Sequence, residues 1–140
     1  MVAGLFFTMA TYGQIRKVPA AVTEAFATKY PAAKNVEWGD KVTVFEATFD
    51  VDGKKQQASF NSDGEWKFTE RFIEAKDLPA AVQEGLNLSK YKDWEIKSYV
   101  EINEADGAPM YRLYGKKNYL QKKYLYFNTD GQLVKDSITL

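Results

Sequence analysis

The sequence predicts an α+β protein made of two tandem repeats, each a helix followed by a four-stranded antiparallel meander. Three observations carry that class. FNSDG at 60–64 and FNTDG at 127–131 are nearly the same pentapeptide, 67 positions apart. VPAAVTEAF (18–26) matches LPAAVQEGL (78–86) at an offset of 60. NVEW (35–38) is echoed by DWEI (93–96) at an offset of 58. Blocks matched in one order, with offsets that differ only by loop insertions, indicate a duplication; a solenoid needs three or more units. The chain divides at 14–76 and 77–140, with residues 1–13 standing apart.

Each copy opens with a helix. Pro19 and Pro79 stand in the first turn, where proline is tolerated. Val18, Val22 and Phe26 recur at helical spacing, as do Leu78, Val82 and Leu86. Pro31 ends the first helix. Gly85 weakens the second by about 1 kcal/mol relative to alanine. Both helices are short, so packing on a sheet must hold them.

The strands follow. VFEATFDVDGKKQQASFN reads as a hairpin closed by Asp52-Gly53, which suits a two-residue type I′ turn with positive φ at both positions. That turn sets the register: Val51 opposite Lys54, Phe49 opposite Gln56, Ala47 opposite Ala58, Phe45 opposite Phe60. These residues share the apolar face, while Asp50, Thr48 and Glu46 oppose Lys55, Gln57 and Ser59 on the wet one. A slip of one residue would invert both faces. Asp63-Gly64 then turns the chain into a fourth strand where Trp66, Phe68, Glu70 and Phe72 alternate in phase. The second copy runs DWEIKSYVEINEADG, PMYRLYG, YLQKKYLYFNTDG and QLVKDSITL, with a longer hairpin loop at 104–109. The register of the GKKN turn (115–118) stays open. If Leu125 and Phe127 face the core as Ala58 and Phe60 do, Tyr124 and Tyr126 face out.

Composition narrows the chemistry. Of the 140 residues, 45% are apolar and 15% aromatic, which argues against disorder. Lysine plus arginine equals aspartate plus glutamate at 19 each, so no global field draws nucleic acid or anionic lipid. There is no cysteine and no histidine, which removes thiol nucleophiles, disulfides, Cys/His zinc sites and the commonest general base. MVAGLFFTMATYG (1–13) is uncharged and too short to span a bilayer. It reads as the remnant of a signal peptide's apolar core, lacking the basic n-region, with small residues before Gln14; the alternative is a buried N-terminal strand. The signal reading predicts an exported protein.

PAAV…F…YP…V.W, the DVDG hairpin and F…DG before the last strand of each copy resemble the periplasmic PepSY-like family, itself similar to beta-lactamase inhibitory protein. The resemblance covers about residues 17–140. It implies one eight-stranded antiparallel sheet with both helices on one face, a free and somewhat concave opposite face, and a bacterial periplasmic or secreted location. Secreted inhibitors of this fold grip their enzyme with that free face and a protruding hairpin loop, and they carry disulfides. This chain has none, and its VDGK loop (51–54) reads first as an ideal turn.

Three groups of residues are candidates for chemistry. Asp50, Asp52, Asn61 and Asp63 lack the ligand spacing of a calcium loop and read as turn residues. Glu70 could serve as an acid or base with a raised pKa, or pair with a neighbour such as Arg71 or a lysine. YRLYGKKNYLQKKYLYF (111–127) interleaves aromatics with Arg112, Lys116, Lys117, Lys122 and Lys123. Such a pattern can stack single-stranded nucleic acid, form a protein-binding surface, or place solvated lysines around half-buried tyrosines. Export and zero net charge disfavour nucleic acid. The expectation is a non-enzymatic exported binding or inhibitor-like module without cofactor, metal or membrane insertion. A protein or peptide partner would lie on the free face over Tyr99, Tyr111, Arg112, Tyr114, Lys122, Tyr124 and Tyr126. The alternative is a structural or envelope-stress accessory without a dedicated ligand, monomeric or a weak homodimer through a sheet edge.

Overall fold

The computed structural model describes residues 17–138, and the expected signal-peptide remnant at 1–13 lies outside the described residues. The first half holds α1 (Ala20–Lys29), β1 (Lys34–Asp40), β2 (Phe45–Val51), β3 (Lys54–Phe60) and β4 (Trp66–Ile73). A 3₁₀ turn at Ala75–Asp77 leads to α2 (Ala80–Leu88), β5 (Glu95–Glu104), β6 (Met110–Lys116), β7 (Lys122–Asn128) and β8 (Leu133–Ile138). The eight strands form one sheet in chain order, every neighbour antiparallel.

Pro19 and Pro79 cap the two helices; their carbonyls accept the amides of Val22 and Thr23 and of Val82 and Gln83. Neither cap has a side-chain hydrogen bond, so burial of one helix face supplies the stability. Val22 and Phe26 of α1 pack on Phe45, Ala47, Phe49, Ala58 and Phe60. Val82 of α2 packs on Tyr111, Leu113, Leu125 and Phe127, with Leu78 and Tyr91. Each fully buried phenylalanine or leucine contributes about 2–3 kcal/mol of transfer free energy.

The hairpin register is the one its turn demands. Asp52 and Gly53 adopt φ of 51° and 77°, and Val51 opposes Lys54, Phe49 Gln56, Ala47 Ala58 and Phe45 Phe60. Strand β4 departs from strict alternation. Phe60 opposes Trp66 while Ser59 opposes Phe68, so a bulge falls between. The extra residue turns Trp66 toward the α1 core and leaves Phe68, Glu70 and Phe72 together on the other face. The turn after β6 spans residues 117–121: Lys116 opposes Lys122, and Tyr119 and Leu120 stand outside the strands.

One row of the register locates both helices. Phe49, Gln56, Arg71, Glu101, Tyr111, Phe127 and Leu133 are successive partners from β2 to β8. Phe49 belongs to the α1 core and Tyr111 and Phe127 to the α2 core, so both helices lie on one face.

The repeated pentapeptide is where turn and helix meet. Asn61 N–H donates to Glu65 O and Gly64 N–H to Asn61 O, and Asn128, Gln132 and Gly131 repeat both bonds. A Cβ on Gly64 would lie 2.6 Å from the carbonyl oxygen of Ala21. One on Gly131 would lie 2.0 Å from that of Ala81. Ala21 and Ala81 belong to the two PAAV blocks, so the recurring sequence blocks are the two sides of one backbone contact. Gly85 has the same cause: its Cβ would come within 1.9 Å of Gly131 O.

Candidate functional site

The face opposite the helices carries Phe68, Glu70 and Phe72 on β4, Val100 and Ile102 on β5, and Arg112 and Tyr114 on β6. Tyr124 and Tyr126 on β7 and Lys135 on β8 complete it. Among the described residues no helix lies on it. Val100 and Ile102 are nonetheless buried, with Phe72 and Arg112 as register partners of the first and Glu70 and Met110 of the second.

Arg112 organises this face. Its guanidinium donates two hydrogen bonds to Glu70, 2.7 Å to Oε1 and 3.2 Å to Oε2, reaching across β5. Such a fork is stronger and more directional than a lysine contact. Burial works against the charge on Arg112, but the bonds and charge of Glu70, with a smaller contribution from Tyr126, outweigh it and raise its pKa. The guanidinium carbon lies 5.4 Å from the Tyr124 ring centroid. Tyr114 and Tyr124 sit 5.2 Å apart as a tilted pair. Lys135 lies 5.3 Å from the Tyr126 ring. Glu70 therefore holds the cation that anchors the aromatics, and its partner is on β6 rather than next to it in sequence.

Of the residues expected on this surface, the structure brings together Arg112, Tyr114, Tyr124 and Tyr126. Tyr99 and Tyr111 do not reach it. They oppose Leu113 and Phe127 and pack on the helix side, where Tyr111 is 6% exposed. Parity decides this: Tyr111 and Tyr99 fall on the row of Leu113, not of Arg112. Lys122 stands at the end of the β6–β7 hairpin, its ammonium 5.7 Å from the Tyr119 ring. Sequence reasoning missed Phe68 and Phe72, since the bulge that redirects them has no sequence mark. Phe72, 37% exposed, is as open as Tyr124.

A second charged group closes the helix side of the same joint. Arg71 Nη2 donates to Glu101 Oε2 at 3.0 Å, and Tyr111 OH to the same oxygen at 3.4 Å. Burial first, and then the charge of Glu101, push the Tyr111 phenol up. Adjacent residues Glu70 and Arg71 thus point to opposite faces, each tied to the second half. Among the described residues no group of three or more acidic side chains converges as metal ligands would, and no described helix is long and apolar enough to cross a membrane.

Known proteins show what the chain is similar to. The model of the PepSY-like, beta-lactamase-inhibitor-like family matches residues 43–135, about two-thirds of the chain. No curated protein matches. A candidate periplasmic protein from Bacteroides eggerthii shares 21% identity at a TM-score of 0.82, over 87% of this chain and 89% of its own. A DUF2874 family protein from Bacteroides ovatus shares 21% at 0.83, over 90% and 89%. A BLIP-like protein from Bacteroides fragilis shares 23% at 0.80, over 86% of each chain. At these identities the likeness is one of fold.

Proposed function

The chain belongs to the PepSY-like family of beta-lactamase-inhibitor-like proteins, and on that premise we propose that it is an exported, non-catalytic binding module that holds a protein or peptide on the free face of its sheet. The observation that carries this reading is the cluster of Arg112, Tyr114, Tyr124 and Tyr126, held by Glu70 and bordered by Phe72 and Lys135. Tyrosine and arginine supply large, pre-positioned contact area at low entropic cost, and they dominate interface hot spots. The half-exposed rings around a fixed guanidinium suit an extended segment bearing apolar side chains and a carboxylate or backbone carbonyl.

The test is capture from periplasmic extract by the protein and by a Tyr124→Ser/Tyr126→Ser variant. Both rings are partly exposed, so the variant is expected to stay folded, which its melting curve checks. A partner retained by the parent and lost by the folded variant supports the reading; equal retention refutes the assignment of this face.

A second reading, self-association through a sheet edge, is favoured by β8, where Val134 is 51% and Ile138 75% exposed. Light scattering that shows a stable dimer at micromolar concentration would support it.

A further inference from the structure

On the other side of the sheet, at the open end of the β6–β7 hairpin, lies a cavity of about 500 Å³. That size falls within the range of small-molecule sites. Its floor is Tyr91 against Trp94, packed edge to face at 4.9 Å. Four lysines contribute to its lining, Lys90, Lys117, Lys122 and Lys123. Beside Lys123 stands Asp136, which accepts from the Tyr91 hydroxyl and lies 3.7 Å from Lys123 Nζ. In a chain of zero net charge, four lysines thus gather at one concavity.

The walls are apolar and open. Leu120 and Ile138 both line the cavity while 85% and 75% exposed. Leu120 is held there by a built turn. Asn118 Oδ1 accepts the amides of Leu120 and Gln121, each at 2.9 Å, and Lys117 N–H donates to Gln121 O at 2.9 Å. At the matching place in the first half Phe49 lies tilted against Tyr30, ring centroids 4.7 Å apart. The second half has Gly115 at that strand position, and Trp94 closes over it.

We propose that this cavity is a binding site for a small amphiphilic anion, a carboxylate or phosphate head on an apolar body. The head pairs with the lysines at the rim, and the body covers Trp94, Leu120 and Ile138, replacing water on apolar surface that the fold itself leaves uncovered. The Tyr91–Trp94 floor lies across the sheet from Arg112, Tyr114, Tyr124 and Tyr126, and of the residues expected to hold a partner the cavity shares Lys122.

The experiment titrates the full chain with decanoate, with decanol and acetate as body-only and head-only probes, by calorimetry and by tryptophan fluorescence. Saturable one-to-one decanoate binding is expected, at least about tenfold tighter than either control, since contacts to charged groups carry that much. Lys90→Gln/Lys117→Gln should weaken it about tenfold with an unchanged melting curve, because both lysines are exposed. Tyr124→Ser/Tyr126→Ser should leave it intact. The proposal is overturned by absent saturation at millimolar decanoate, by decanol or acetate binding as well as decanoate, by an indifferent lysine variant, or by loss in the tyrosine variant.

Discussion

The two halves share a skeleton and differ in what they mount on it. Tyr30 follows α1 and its hydroxyl bonds Thr69 of β4; Tyr91 follows α2 and its hydroxyl bonds Asp136 of β8. Thr69 is buried and neutral, and it also takes Trp66 Nε1 at 2.9 Å. Asp136 is charged and draws in Lys123. Where α1 carries Ala25 above its turn, α2 carries Gly85, and there the turn presses in to 1.9 Å of a would-be Cβ. The free face follows the same division. Arg112 and the tyrosines that surround it stand on the second half, while Glu46, Thr48, Asp50 and Gln57 line the first. The first half is the better-sealed core, with five aromatic contacts around Phe26 and Tyr30. The second carries the candidate surfaces. Two halves on one skeleton can differ widely in their side chains, provided that the backbone contact between helix and turn is kept in both.

That contact is the place to break the comparison hardest. Gly85→Ala drives a methyl into the Gly131 carbonyl and should cost about 3 kcal/mol or more, as rigid overpacking does. Ala25→Gly at the matching position of α1 should cost only about 1 kcal/mol, the helix-propensity difference. Urea unfolding of both variants reads the asymmetry, and equal losses would mean the two turns pack alike.

The joint between the halves comes next. Arg112→Ala strips Glu70, 18% exposed, of its bidentate partner and should cost about 2 kcal/mol. Adding Glu70→Leu should recover most of that loss, because no unpaired charge then remains. A double-mutant cycle measures the coupling. An additive pair would show that the fork does not tie the halves.

The smallest effect separates the two tyrosine pairs. Hydrogen bonding from Tyr91, and then the charges of Lys123 and Lys90, outweigh burial and hold the Asp136 carboxyl below its ordinary value. Its stabilising contribution is therefore complete above the unfolded carboxylate pKa of about 3.9 and is lost as pH falls through the lowered folded value. Asp136→Thr, which copies the first half, should be less stable than the parent at pH 7. The gap between their urea midpoints should close below about pH 4. A gap that persists into acid would assign the loss to packing instead of charge.

Much of this fold was legible because the signals that carry it are local. Asp52-Gly53 dictates a turn, the turn dictates a register, and the register sorts Phe45, Ala47, Phe49, Ala58 and Phe60 onto one face without reference to anything distant. Tyr124 and Tyr126 were placed by the same parity once Leu125 and Phe127 were assigned to the core. Tyr99 and Tyr111 were misplaced because their strands lacked a tight turn to count from. A residue rich in both ring and hydroxyl fits either face; Tyr111 buries its ring in the α2 core and sends its hydroxyl to Glu101. Gly85 read as a weak helix position, since nothing in its neighbourhood names Gly131 as the reason for it.

By itself the sequence determined the α+β class, the order of helices and strands, the hairpin register and the position of the repeated turn, all of which follow from contacts between residues near in the chain. Only the tertiary structure decided that Glu70 pairs with Arg112 and Arg71 with Glu101, that the bulge in β4 turns Phe68 and Phe72 toward the tyrosines, and that four lysines converge around Trp94. These arrangements join strands that are distant in sequence, and their geometry depends on the register of the intervening strand and on one extra residue in a ladder. Period and propensity encode neither.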